Sequence, residues 1–142
     1  MGETGFQKVS DSDNRMYGSR ALLVCGFAPA DQEIFLEMLD EHGFQTLPVI
    51  FVIDSQLETT LKELLKAEHK SGYLKSSTIT RAVIMSGLNE KELHAIINGY
   101  KRLGLPFPLW ATLTPVSEKW ILSELLLELE KEREAFRKRK QS

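Results

Sequence analysis

The sequence predicts an α/β fold in which two tandem β-α-β-α units form one four-stranded, mainly parallel sheet flanked by helices. Three observations predict it. Short apolar runs end at a glycine or a capping residue, amphipathic segments at helical spacing come after them, and the whole order repeats at a constant offset. The chain has 142 residues, which suits one domain with a sizeable core.

The first unit begins with the apolar run ALLVC at residues 21–25, which is typical of a buried strand. A helix is predicted over residues 29–42, with Pro29 in its first turn and Gly43 as its stop. Residues 48–53 predict a second strand that is apolar on both faces and therefore covered on both. Leucines at helical spacing then predict a helix from residue 54 or 55 to about residue 69.

The second unit follows a polar connector at residues 69–80. Residues 82–85 predict a strand, and Asn89 with Glu92 forms a capping-box pattern for a helix that ends before Gly104. Residues 109–114 alternate between apolar and softer positions, which indicates an edge strand. A long final helix is predicted from about residue 117 to beyond residue 134.

The repeat places residues 20–70 over residues 81–131 without a gap, so that Arg20 aligns with Arg81 and Gly26 with Gly87. Within each unit the two strands should be parallel. Two arrangements of the units fit the pattern. The sheet is parallel throughout, or the units meet about a pseudo-two-fold axis with an antiparallel central pair.

The domain organisation follows from composition. Residues 1–19 have few apolar residues and predict a disordered lead-in, residues 20–135 form the single α/β domain, and residues 136–142 form a basic tail. The net charge of −2 divides into −6 for residues 1–70 and +4 for residues 71–142. The run Arg137, Lys138, Arg139 and Lys140 is explained either as a solvated helix end or as a docking tail for an acidic protein surface, anionic lipid headgroups or nucleic acid.

Catalytic, cofactor and metal patterns are not found. Gly26 and Gly87 follow the first strand of each unit, but neither is followed by the further glycines of a dinucleotide loop. Cys25 and the three histidines lack zinc-ligand spacing, and the single cysteine fits a reducing compartment. Asp54, at a strand end, is the best candidate acid, although a helix-capping role explains it as well. We expect no catalytic residues, no cofactor and no metal.

The segment GLPFPLWATLTPVSEKW at residues 104–120 carries three prolines and two tryptophans. Trp110 and Trp120 are either core aromatics or anchors of a protein interface. The helix after Trp120 is apolar over a wider arc than one contact face needs once Leu127 is included. This surplus indicates a partner surface or a dimer seam.

Residues 85–134, MSGLNEKELHAIINGYKRLGLPFPLWATLTPVSEKWILSELLLELEKERE, resemble the domain of unknown function 3783 family of bacteria and photosynthetic eukaryotes. The first half of the chain resembles it only through the internal repeat. No catalytic residue can be transferred from this family. Plant members with two units are similar to plastid factors for photosystem I assembly on the stromal face of the thylakoid, so the resemblance implies an assembly protein in the chloroplast stroma.

Two functions remain. The leading hypothesis is a non-enzymatic protein-interaction or assembly module whose partner-binding residues are Trp110, Trp120, Leu127 and Arg137 to Lys140, with peripheral membrane association through the tail and a homodimer as further expectations. The alternative is a small-ligand or anion-binding domain at the strand carboxyl ends near Gly26, Asp54, Gly87 and Thr114. Nucleic acid is disfavoured as a partner because only the tail supports it. Without the resemblance, the expected location is the cytoplasm.

Overall fold

The computed structural model describes residues 14–141, so the greater part of the expected lead-in lies outside the described residues. Four strands form a single sheet in the order β2-β1-β3-β4. Their bounds are β1 Ala21–Cys25, β2 Val49–Val52, β3 Ala82–Ser86 and β4 Leu109–Thr112. The α/β class is confirmed, and β4 is an edge strand as its alternation predicts.

The two units meet about a pseudo-two-fold axis. Strands β1 and β2 are parallel, as are β3 and β4, but the central pair of β1 and β3 is antiparallel. In that central pair Leu23 lies opposite Ile84, its equivalent in the repeat. A sheet that is parallel throughout was therefore the wrong alternative, and the pseudo-symmetric arrangement is correct.

Four helices cover the two faces of the sheet, and their bounds are α1 Pro29–Glu41, α2 Leu61–Leu64, α3 Glu90–Lys101 and α4 Leu122–Gln141. Helices α1 and α3 bury Phe35, Ile96 and Tyr100 against one face. Helices α2 and α4 bury Leu61 and Leu122 against the other. Because both faces are covered, β1, β2 and β3 are buried along their whole length.

Local signals fix the starts of two helices. Pro29 opens α1, where its missing N–H costs nothing. At α3, Asn89 Oδ1 accepts from the Glu92 backbone N–H at 2.8 Å, and Glu92 Oε1 accepts from the Asn89 N–H at 3.0 Å. The capping box predicted for this helix is confirmed.

The predicted helix from residue 54 or 55 to residue 69 is wrong. Residues Asp54–Gln56 form one 3-10 turn, and only Leu61–Leu64 is α-helical. Just before α2 the chain pairs with the other unit. Leu61 N–H donates to the Trp120 carbonyl at 3.0 Å, and Leu122 N–H donates to the Thr59 carbonyl at 3.0 Å. These two bonds are equivalent in the repeat, and this pairing between units overrides the local leucine spacing.

The final helix begins later than predicted. A 3-10 turn occupies Ser117–Lys119, and α4 starts at Leu122, directly after the bridge between Thr60 and Ile121. From there the helix continues to Gln141, so most of the residues assigned to the basic tail continue α4.

Two ion pairs join the units in a symmetric way. Arg20 contacts Glu92 at 2.7 Å, and Arg81 contacts Asp31 at 2.7 Å. Arg20 and Arg81 are equivalent in the repeat, and so are Asp31 and Glu92. Each unit thus supplies an arginine to the acid of the other, which agrees with a duplication.

Candidate interaction surface

Helix α4 consists of a packed first half and an exposed second half. Leu122, Leu125 and Leu126 are buried against the sheet. Every residue from 131 to 140 is exposed. At 1.5 Å per residue, this exposed part extends about 15 Å. The second half of α4 therefore packs little against the described part of the chain.

The outer side of α4 carries a shallow groove lined by Trp120, Glu124, Leu127 and Glu128. Its volume is about 360 Å³. Leu127 is 54% exposed, whereas Trp120 packs partly against the core of α2 and α4. The structure therefore brings together two of the residues selected from the sequence and places two carboxylates beside them.

The basic run lies on the exposed part of α4. Arg137 contacts Glu134 at 3.1 Å, and Arg139 and Lys140 lie 6.0 and 5.5 Å from the centre of the Phe136 ring. Phe136 itself is 55% exposed. The end of the helix combines an apolar ring with several cations, a combination that suits binding to an acidic surface.

Trp110 lies apart from this groove. It stands on β4 with its ring 5.6 Å from Tyr100 and nearly perpendicular to it, on the sheet face that α1 and α3 cover. Its Nε1 is buried and has no hydrogen-bond partner among the described residues. Of the predicted binding residues, Trp120 and Leu127 are together, Arg137 to Lys140 follow along α4, and Trp110 is at the sheet edge.

Backbone from the other unit packs closely against the glycine that follows β1 and against the glycine that follows β3. Because the central pair is antiparallel, Gly26 and Asp54 lie at one end of the sheet, and Gly87 and Thr114 lie at the other. A Cβ on Gly26 would approach the Ile79 carbonyl oxygen to 2.4 Å, and one on Gly87 would approach the Gly18 carbonyl oxygen to 2.5 Å. The segment that precedes each unit's first strand thus covers the strand ends of the other unit.

The covering segments are held by specific hydrogen bonds. Met16 N–H donates to the Leu88 carbonyl at 2.7 Å, and Gly87 N–H donates to the Tyr17 carbonyl at 3.0 Å. At the other end, Asp54 accepts from the hydroxyls of Ser77 and Thr78 at 2.7 and 2.8 Å. These bonds hold the pKa of the Asp54 carboxyl below its usual range. Asp54 therefore fastens the connector rather than capping a helix with its side chain.

The cysteine and the histidines occupy separate places. Burial raises the pKa of the Cys25 thiol to about 12, which makes it a poor nucleophile. His69 Nδ1 accepts from the Val49 backbone N–H at 3.0 Å, so it holds a loop against β2. Across residues 14–141, no three groups from His, Cys, Asp and Glu are placed to hold a metal ion. No helix in that range is both long and apolar enough to span a membrane.

Sequence reasoning missed Phe136 and the two interlocking ion pairs. Phe136 is two helical turns after Leu129, so helical spacing from the leucine stripe would have placed it on the same side of α4. The ion pairs could have been found by comparing the acids and arginines at equivalent positions of the repeat. Gln32 was missed as well; its buried amide donates to Phe27 O and Lys75 O and accepts from Leu74 N–H, which ties the connector to α1.

The fold and this surface define a duplicated α/β protein with a projecting terminal helix. Residues 81–136 match the family model described as Domain of unknown function (DUF3783), which agrees with the resemblance carried by residues 85–134. No curated protein matches the chain, and no solved structure does.

Proposed function

We propose that this protein is a non-enzymatic interaction module that binds a protein partner through α4. The observation that carries the proposal is the groove at Trp120 and Leu127, because it places an exposed leucine, a partly buried tryptophan and two carboxylates together at the start of a helix whose second half is exposed. The exposed second half of the helix extends this surface by about three turns.

The chemistry of the surface describes the partner. An apolar side chain would fill the groove, and a basic residue beside it would pair with Glu124 or Glu128. An acidic patch further along would meet Arg137 and Lys140. We therefore expect a partner segment with an apolar anchor, a flanking cation and a separate acidic cluster.

The family resemblance supports a narrower proposal. Plastid factors for photosystem I assembly work at the stromal face of the thylakoid, and a stromal assembly protein needs a surface for transient binding more than it needs a catalytic centre. We propose that this chain is such a factor, acting in the chloroplast stroma, with the basic end of α4 directed at an acidic subunit surface or at the membrane beside it.

The closed strand ends are the reason for preferring this proposal to the small-ligand alternative. Ligands of open α/β sheets bind where strands end and the next helix begins. Here the backbone around Ile79 and Gly18 lies against the turns after β1 and β3, where the helix N-terminus would otherwise face a ligand. A thermal-shift screen with nucleotides and phosphorylated metabolites tests the alternative, because a saturating ligand would raise the unfolding temperature.

The direct test places a photo-crosslinking residue at position 127 of the full chain, and at position 74 as a matched control. Leu74 is 50% exposed and lies on the connector, where its backbone N–H donates to Gln32 of α1 on the opposite sheet face. We expect a single partner to be crosslinked from position 127 and not from position 74. The partner is then purified, and its affinity is measured for Leu127→Ser, Leu74→Ser and the double variant Arg137→Glu/Lys140→Glu.

Leu127→Ser should weaken binding about 30-fold, as loss of a hot-spot residue does, and Leu74→Ser should leave it unchanged. The charge variant should weaken binding more at low salt than at high salt. Equal affinities for Leu127→Ser and Leu74→Ser would overturn the proposed surface. If only anionic vesicles, and no protein, bound the chain, the tail would be a lipid contact and the protein-binding proposal would be wrong.

The narrower proposal is tested in a photosynthetic host that lacks this protein. We expect the unaltered chain and Leu74→Ser to restore photosystem I accumulation, and Leu127→Ser to fail at equal protein abundance. Normal photosystem I in the host without the protein would contradict the assembly role.

A further inference from the structure

The two edge strands of the sheet, β2 and β4, differ in whether their outward backbone groups have hydrogen-bond partners. At β2, Val49 N–H donates to His69 Nδ1 at 3.0 Å, Phe51 N–H donates to the Ser71 carbonyl at 2.8 Å, and Lys70 N–H donates to the Val49 carbonyl at 2.6 Å. Residues 69–71 therefore satisfy both backbone groups of Val49 and the N–H of Phe51, three of the four outward groups of β2. An edge covered in this way cannot pair with another chain.

The equivalent edge of β4 has no such cover among the described residues. Leu109 N–H and Leu113 N–H donate inward, to the carbonyls of Arg81 and Met85 at 3.0 and 2.9 Å. Because backbone groups alternate along a strand, those of Trp110 and Thr112 point away from β3. Over the described part of the chain, neither residue makes a main-chain hydrogen bond outside the β3–β4 ladder. The segment that would cover this edge by symmetry, residues 130–132, is held in α4.

We infer that β4 pairs in antiparallel fashion with β4 of a second copy of this chain, about a two-fold axis at Ala111. In this register Trp110 of each copy lies opposite Thr112 of the other. The outward N–H and carbonyl groups of both residues then form four hydrogen bonds across the interface. The small side chain of Ala111 at the axis permits the short Cα separation, about 4.5 Å, of a non-hydrogen-bonded pair. The inference goes beyond the proposed function, since the β4 edge lies apart from the groove at Trp120 and Leu127, although both proposals use charges of α4.

Charge along α4 supports a second copy as the occupant. Residues 122–132 contain four glutamates and one lysine, for a net charge of −3, and residues 133–140 contain five basic residues and one glutamate, for a net charge of +4. A two-fold axis that makes the strands antiparallel also makes the two α4 helices antiparallel. The basic end of each helix then faces the acidic start of its partner.

The side of α4 next to β4 also carries apolar side chains that a second copy could bury. Leu129 and Glu132 line, with Trp110, Ala111 and Thr112 among others, a groove of about 390 Å³ along β4. Phe136 follows one turn after Glu132 and is exposed. A second copy would cover this groove and give the projecting part of α4 a surface to contact.

The surrounding prolines limit the pairing to one partner. Pro108 precedes β4 at an outward position, where it has no N–H to donate, and Pro115 follows shortly after the strand ends. The ladder is therefore confined to the segment around Ala111. A short, self-complementary segment closes into a dimer and does not extend into a fibre.

The first test measures the mass of the full chain by light scattering and sedimentation at about 5 to about 100 μM, a range where specific dimers form. We expect the unaltered chain and Thr112→Ala to be dimers, since both keep the N–H at position 112, and Thr112→Pro to be a monomer. Circular dichroism of each variant checks that it is folded. A monomeric unaltered chain, or a Thr112→Pro variant that is folded and still dimeric, would overturn the inference.

The second test reads the register without relying on proline. Under mild oxidation, Ala111→Cys should form a disulfide-linked dimer, since the two thiols meet at the axis. Leu74→Cys should not, and native Cys25 is buried and cannot take part. Absence of an Ala111→Cys crosslink in a dimeric protein would contradict the register.

The third test reads the charges. Arg137→Glu/Lys140→Glu and Glu128→Lys/Glu132→Lys should each lower self-association by at least tenfold, and an equimolar mixture of the two should form a heterodimer. Equal dimerisation of the unaltered chain and both variants would show that the α4 charges do not pair across the axis, and would overturn the proposed two-fold arrangement.

Discussion

The two units share one framework and diverge after their second strand. In unit one the chain makes a single helical turn at Leu61–Leu64 and then folds back to cover the edge of β2. In unit two Leu125 and Leu126, which are equivalent to Leu64 and Leu65, lie inside a helix of 20 residues that extends beyond the sheet. The strands and ion pairs between the units were retained, while the segment after the repeated leucines diverged. Divergence at that single place accounts for both the exposed helix and the uncovered edge.

The largest effect tests the shared framework. Gly26→Ala and Gly87→Ala should each destabilise the fold by about 3 kcal/mol or more, because both glycines have positive φ and a Cβ would collide with backbone. Gly43→Ala has the same kind of φ but open space around it, and should cost only about 1 kcal/mol. Chemical denaturation measures all three. A Gly26 variant no weaker than the Gly43 variant would show that the strand-end closure is loose.

A smaller effect should separate the two ion pairs. Arg81 contacts Asp31 at 2.7 Å and Tyr100 Oη at 3.3 Å, and its guanidinium lies 4.3 Å from the centre of the Phe27 ring. Arg81→Met should therefore cost about 2 kcal/mol. Arg20→Met loses one ion pair and should cost about 1 kcal/mol. Denaturant unfolding of both variants checks this order, and the reverse order would show that the additional contacts of Arg81 do not stabilise the fold.

A third comparison concerns the last residues of β1 and β3. Cys25 and Ser86 are equivalent in the repeat and both are fully buried, but Ser86 Oγ has no hydrogen-bond partner among the described residues. Ser86→Ala should therefore stabilise the fold by about 1 kcal/mol, and Cys25→Ser should destabilise it by a similar amount. Thermal unfolding of the two variants measures the difference; a less stable Ser86→Ala would mean that the hydroxyl is satisfied in solution.

The smallest effect is a pH dependence at Glu92. Burial raises the pKa of this carboxyl. The hydrogen bonds from Arg20 and the Asn89 N–H and the charges of Arg20 and Arg15 lower it by more than burial raises it, so the pKa lies below its usual range. The ionised Glu92 carboxylate therefore stabilises the folded state above its unfolded pKa of about 4.3, and this stabilisation is lost as pH falls through its lower pKa in the folded state. Glu92→Gln should therefore weaken the fold more at pH 7 than at pH 3, as measured by urea unfolding. An equal loss at both values would show that the charge of Glu92 does not stabilise the fold.

The sequence revealed those parts of the fold that local pattern controls. The strands, the capping box at Asn89 and the order of the repeat follow from apolar runs and turn residues. The helix predicted after Asp54 failed because backbone pairing between Thr59 and Leu122 is a contact between distant residues that local spacing cannot show. The antiparallel pairing of β1 with β3 was one of two open alternatives, because it too is a contact between residues distant in sequence.

The candidate surface was predicted in part. Trp120 and Leu127 were found together because Trp120 lies two residues before α4 and Leu127 in its second turn, so nearness in sequence is informative here. Trp110 was grouped with them by nearness in sequence, but the turn at Ser117–Lys119 separates the strand from the helix and the ring packs on the opposite sheet face. Exposure of a particular side chain depends on tertiary packing, which no local pattern contains.

The central pairing of β1 with β3 has a consequence for how the two-unit fold arose. In that pair each residue of one unit lies opposite a residue of the other as it would across a crystallographic dyad, with Leu23 facing Ile84. A chain made only of the matched region, residues 81–136, would leave β3 unpaired on that side and its arginine without an acid. An ancestral one-unit protein would therefore have paired as a homodimer, whose stability depends on protein concentration. Gene fusion would have joined the two copies in one chain and removed that dependence.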